Sequence, residues 1–198
     1  MAKNVNHVTS AKGDNVRGPL LYNPSLDVEV TAATDFSTGG WVKLGYGSTD
    51  GVSVEQTADD TTKSVWGASL GTVYSNFQDQ ITLHCASFMD PDMLGVVFGS
   101  GNVSTDTATG MTTIKVKNRN GSQGTFVVAA TADNGAPMMW VYRGQTDPNV
   151  SYDASEDDII TYDLTVTGIS ADDGTTSTMI FKTAEPVTKP SGDSGSSK

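Results

Sequence analysis

The residues that could perform chemistry are few, and each set lacks a part. His84-Cys85 and Gly192-Asp193-Ser194-Gly195 supply a base and then a hydroxyl nucleophile, in the chain order a serine hydrolase could use. Such a serine must sit in a rigid loop with an oxyanion hole built around it. Here only Ser196, Ser197 and Lys198 follow, in a low-complexity tail, so the spelling has no scaffold. His7 and His84 lie far apart and Cys85 is the single cysteine, which leaves no zinc set. Asp153-Ala154-Ser155-Glu156-Asp157-Asp158 opens like a calcium loop. It has Asp158 where the turn needs glycine and Leu164 where the closing glutamate belongs, so a solvated acidic loop reads better. The glycines of Gly45-Tyr46-Gly47-Ser48-Thr49-Asp50-Gly51 have the wrong spacing for a dinucleotide and precede no helix. Trp41, Trp66, Trp140, Tyr142 and Tyr162 could form a sugar-binding platform, but each falls within a strand pattern, where core or interface packing is the ordinary use. No catalytic set and no cofactor is expected.

The elements around these residues are mostly strands. Apolar residues make up 36% of the 198 positions, and threonine, glycine, aspartate and serine fill the remainder, which suits short strands joined by turns around a thin core. Leu26, Val28 and Val30 alternate with polar neighbours and predict a half-buried strand; Trp41-Val42-Lys43-Leu44 predicts a second. The polar stretch from Gly45 to Ser64, with Val52 and Val54 alternating inside it, reads as a long hairpin with a protruding tip. From Val65 to Phe88 the pattern predicts two strands broken near Gly71. Val73, Phe77, Ile81, Leu83 and Cys85 share an oily face; Asn76, Gln78, Gln80, Thr82 and His84 share a polar, uncharged one. Asp90 and Pro91 begin a short helix that Gly99 ends. Further strands are expected at 112–117, 125–131, 138–143, 160–166 and 176–182, with turns at Asn120-Gly121, Asn134-Gly135 and Asp173-Gly174. The total, roughly nine or ten short strands and one flanking helix, predicts an all-β sandwich or barrel. It divides into an extended N-terminal arm (1–24), a β domain (25–183) and a disordered tail (184–198).

Charge narrows the partners. The formal net charge is −11, and an acidic surface repels nucleic-acid phosphates. Up to Pro24 the chain carries Lys3, Lys12 and Arg17 against Asp14, so the arm is +2 and the rest −13. A basic arm can dock on an acidic body, its own or a neighbour's; an ordinary solvated terminus reads the same. One cysteine excludes an internal disulfide, and no signal peptide or membrane anchor is expected.

The order of features is more specific than any motif. An arm and a strand lead to Trp41-Val42-Lys43-Leu44-Gly45-Tyr46, a polar loop with Asp50-Gly51-Val52 and then Trp66-Gly67. A long strand pair around Phe77–Leu83 follows, and the helix Pro91–Gly99. Over most of 5–182 this resembles the major tail (tail tube) proteins of long-tailed siphophages, especially those of actinobacterial phages. The resemblance implies a β-sandwich whose copies form hexameric rings, their inner sheets joined round a lumen and the rings stacked into a tube. It implies a virion protein made in the host cytoplasm. Its partners are copies of itself, a tape-measure protein and tail terminator and initiator proteins; the phage DNA passes without specific binding. The long loop and terminal arms would bridge rings, here through Tyr46, Asp50, Val52, Val54, Glu55, Asp59, Asp60 and Lys63, with arm contacts from Lys3, Lys12 and Arg17. Asn76, Gln78, Gln80 and Thr82 would line the lumen. The C-terminal decoration domain of some relatives is expected to be absent. A baseplate or carbohydrate-binding module and a type VI secretion tube protein are the alternative readings.

Overall fold

The computed structural model describes residues 11–13, 19–66, 68–87, 89–118, 120–133, 135–149, 151–153 and 160–182. Lys3, Arg17, the tail 184–198 and residues 154–159 of the acidic loop lie outside them. The described strands are β1 (Ala11–Gly13), β2 (Leu20–Asn23), β3 (Val42–Gly45), β4 (Gly47–Val65), β5 (Ala68–Cys85), β6 (Val103–Thr105), β7 (Thr112–Ile114), β8 (Gln123–Ala132), β9 (Pro137–Thr146), β10 (Ser151–Asp153), β11 (Thr161–Gly168) and β12 (Ser177–Phe181). One helix, α1, spans Pro91–Phe98. The all-β expectation with a single short helix holds.

Ten strands form one antiparallel sheet with the path β3-β2-β8-β9-β11-β5-β4; β1, β10 and β12 pair at its margins, and β6–β7 is a separate ribbon. The two ends of that path, β3 and β4, are consecutive in the chain and meet at Tyr46. The amide of Ala86 donates to the Tyr46 carbonyl at 2.8 Å, so the sheet curls back towards itself as a barrel does. Its inner face holds the larger core: Leu20, Leu44, Ile81, Leu83, Phe126 and Val166, among others, with α1 packed on it through Met93, Leu94 and Val97. The helix starts as expected. The Asp90 carboxylate accepts from the amides of Asp92 (2.9 Å) and Met93 (3.4 Å), Pro91 stands in the first turn, and Gly99 leaves the helix at φ 85°.

A second, smaller core lies on the opposite face of β2, β8 and β9, made by Leu21, Phe36, Val127, Ala129 and Met139. Because β8 feeds both cores, it is buried without alternation from Gly124 to Ala130. A row of glycines crosses the sheet here: Gly124 pairs with Gly144, and Gly144 with Gly168. A Cβ on Gly124 would stand 2.1 Å from the Asn23 carbonyl oxygen, and one on Gly144 2.5 Å from that of Thr167.

Three expectations are corrected by this architecture. Leu20–Asn23, read as part of the arm, is a strand between β3 and β8, and Ala11–Gly13 also pairs with β8. Adjacent Leu20 and Leu21 are both buried, one in each core, which defeats a search for alternation. The segment around Leu26, Val28 and Val30 is not a strand. It keeps its alternate half-burial because it lies along the second core, where Val30 packs, and Thr125 Oγ1 donates to the Ser25 carbonyl at 2.8 Å. Finally, β5 runs unbroken from Ala68, and the reversal comes earlier, beyond the Val65–Ala68 pair, where Trp66 forms the turn.

Candidate assembly surfaces

β4 and β5, with 19 and 18 residues, are far longer than their neighbours. Near the body, β5 has partners on both sides: β4 on one, and β11 on the other from Tyr162–Cys85 to Thr167–Gln80. β11 ends at Gly168, where the Ile169 amide turns away to the Arg143 carbonyl at 2.7 Å. From Gln78 outward β4 and β5 therefore continue as a two-stranded ribbon. Its outer part, Ala68 to Gln78, extends about 35 Å at ~3.4 Å per residue.

Burial changes at the same place. Ile81, Leu83 and Cys85 are closed off in the core, whereas Val73, Tyr74 and Phe77 are exposed and Trp66, at the tip, is fully so. The expected oily face is thus half core and half solvent-exposed. A bulge also breaks its parity: Thr57 pairs with Gln78 but Asp59 with Ser75, so one extra residue lies on β5. Asn76, at φ 51°, occupies this bulge and donates from Nδ2 to Asp59 Oδ2 at 2.7 Å. Beyond it Tyr74, opposite Asp60, takes the face continuous with Ile81, and Val73 moves to the polar side. A further register shift falls between Lys63 and Ser64, beside Gly71.

The arm's root is held by Asp79, the first buried residue inward. Its Oδ2 accepts from Thr176 Oγ1 at 2.8 Å and from Ser177 Oγ, fastening β5 to the start of β12. Burial, and then this carboxylate, push the neighbouring Tyr142 hydroxyl up to about 12.

The predicted bridging residues fall into two sets. Asp59, Asp60 and Lys63 lie exposed on the arm; Val52, Val54 and Glu55 belong to the part of β4 paired with Leu83, Ile81 and Gln80 in the body, where Asp50 also lies within β4 and Tyr46 is exposed at the β3–β4 junction. Those on the arm form one strand of a ribbon rather than a loop closed on itself. The tip Trp66 and the arm's aromatics Tyr74 and Phe77 were not among them. The predicted lumen set divides likewise. Gln80 Nε2 donates to Thr167 Oγ1 (3.2 Å), and Thr82 and Thr165 share a hydroxyl contact at 3.2 Å, making a polar ladder on the body with His84 Nδ1 2.7 Å from Asp163 Oδ1. Asn76 and Gln78 are exposed on the arm. Lys12 is exposed on β1.

A second surface feature is a groove of about 500 Å³ along α1. Its lining includes Asp92, Gly95, Val96 and Ser100 from α1 and the turn after it, and Tyr22 and Val42 from β2 and β3. Beside it, the Lys115 amide donates to the Asn102 carbonyl at 2.8 Å, and Lys115 and Lys117 are exposed; Lys43, opposite Leu21 on β2, stands on the other face of the sheet.

The other sets considered for chemistry are scattered. Trp41 packs edge-on against Phe36 at 5.0 Å in the second core, Trp140 leans on the first, and Trp66 stands alone at the tip. Cys85 is buried, and burial with the Asp163 carboxylate nearby pushes its thiol up to about 12. Among the described residues no group of three or more His, Cys, Asp or Glu is placed to hold a metal, and no helix is long and apolar enough to cross a membrane.

No curated protein matches the chain. A family model described as phage tail tube protein matches residues 8–191.

Proposed function

The chain belongs to the phage tail tube protein family, and from that premise we propose that its copies close into hexameric rings which stack into a conduit for DNA ejection. The family makes it a structural subunit of the virion's tail. The observation that supports stacking is the β4–β5 arm: Trp66, Tyr74 and Phe77 are exposed, and a ribbon with no third strand among the described residues needs burial from another surface. The arm bridges one ring to the next, and the basic N-terminal segment adds contacts. The polar ladder of Gln80, Thr82 and their β11 partners faces the lumen, where hydroxyls and amides offer passing phosphates no cation. A tape-measure protein and tail terminator and initiator proteins complete the assembly, and the genome passes without specific binding.

Negative-stain electron microscopy of the purified protein tests this. Tubes or stacked rings with six-fold end views are expected. A persistent monomer, even with tail initiator and tape-measure proteins added, would sink the proposal.

A further inference from the structure

We infer that the tip of one copy's β4–β5 arm seats in the α1 groove of another copy, with Trp66 as its anchor. This rests on the tube reading and adds the receptor for the arm.

Size and shape come first. The groove, about 500 Å³, falls within the range of sites that enclose an aromatic group. Gly40, Gly95 and Gly99 in its lining let a ring approach backbone closely, and Val42, Val96 and Tyr22 supply apolar walls. Trp66 is fully exposed and so does not fill the groove of its own chain. Tryptophan at the end of a projecting element is the residue type that most often dominates an interface once it is desolvated.

Charge selects the occupant. Copies with a net charge of −11 repel one another, so contact requires a local exception. The arm carries Asp59 and Asp60 against Lys63, while exposed Lys115, whose amide bonds Asn102 beside the groove, and Lys117 outnumber the one acidic residue of its lining, Asp92. A tip seated in the groove lets the acidic shaft leave past these lysines. The arm and groove are different patches, so the contact is heterologous. Contacts of that kind propagate into rings or filaments, whereas two-fold dimers pair identical patches. The inferred contact therefore builds a polymer.

Two experiments on the full chain decide it. Lys63→Cys protein and Ser100→Cys protein, mixed during assembly with oxidised glutathione, are expected to yield a disulfide joining positions 63 and 100 of different copies. The buried Cys85 should stay silent. Adding Trp66→Ala to the first protein is expected to lower that yield about tenfold, as loss of an anchor does. Tubes that form without this cross-link, or with a cross-link indifferent to Trp66→Ala, overturn the groove while leaving the tube intact. Lys115→Glu with Lys117→Glu should raise the concentration needed for assembly about tenfold, and Asp59→Lys with Asp60→Lys in the same chain should largely restore it. Unchanged assembly in the first pair, or no recovery in the second, overturns the charge match. Wild-type protein that never assembles overturns the tube reading and the docking together.

Discussion

The two halves of β5 are one strand with one pattern and opposite fates. Ile81 is 0% exposed and Phe77, four residues away, is 77% exposed. Nothing in either side chain accounts for this; both are large and apolar. The difference is β11, which pairs with β5 as far as Gln80 and then turns off. A third strand lets the sheet curl over α1 and close a core, while a two-stranded ribbon has no interior. Burial in a sheet thus depends on the length of the neighbouring strand as much as on the residue, and an apolar strand that outruns its neighbour becomes a contact surface.

The sharpest way to separate the halves is to remove one. Excising 57–78, where Thr57 pairs with Gln78, and bridging Gln56 to Asp79 with Asn-Gly should leave a folded body. Its melting temperature should stay within a few degrees of wild type while assembly is lost entirely. Sedimentation and calorimetry check this, and tubes from the excised protein would break the comparison. Next in size, Ile81→Ala should cost about 2–5 kcal/mol in urea unfolding, whereas Phe77→Ser should stay within about 0.5 kcal/mol. A comparable loss from both would mean that the arm has an interior after all. Asp79→Ala, at the boundary, deprives the Thr176 and Ser177 hydroxyls of their acceptor and should cost about 1–3 kcal/mol, again by urea unfolding; no loss would show that the root is held by β-pairing alone.

The smallest effect concerns Cys85, at the inner end of β5. Its folded pKa, about 12, lies above the ordinary thiol value, so burial favours the neutral form. The corresponding stability is fully present below the unfolded pKa, near 9, and is lost as pH rises through about 12. Iodoacetamide at pH 8.5 should therefore leave the native protein unlabelled and label it rapidly in urea, as mass spectrometry would show. Rapid native labelling would place the inner half among the opening regions.

Much of this was legible in the sequence, for identifiable reasons. The helix was, because Asp90, Pro91 and Gly99 each act within a single turn. The strand over Tyr162, Leu164 and Val166 was, because one of its faces meets the core and the other does not. What escaped depended on partners distant in the chain. Leu20 and Leu21 face two cores that only the folded sheet creates. Leu26 to Val30 alternates because it rests along a sheet without joining it. Val73 shares the parity of Ile81 in the sequence but not its face, because the Asn76 bulge lies between them, and an asparagine suited to positive φ was the one local hint. Trp66 followed the strand pattern, so its place at the tip could be known only once the Val65–Ala68 pair located the turn.

The row formed by Gly124, Gly144 and Gly168 has a consequence for how the sheet finds its alignment. In most strands a slip of one residue is punished because it turns oily side chains to water. β8 is oily on both sides, so the same slip would merely exchange Phe126 and Val128 for Val127 and Ala129, and solvent would scarcely object. What objects is backbone: Gln123 or Thr125 moved into the place of Gly124 would drive its Cβ into the Asn23 carbonyl. The strand is therefore keyed like a lock, and the notch that admits one alignment is cut from missing side chains.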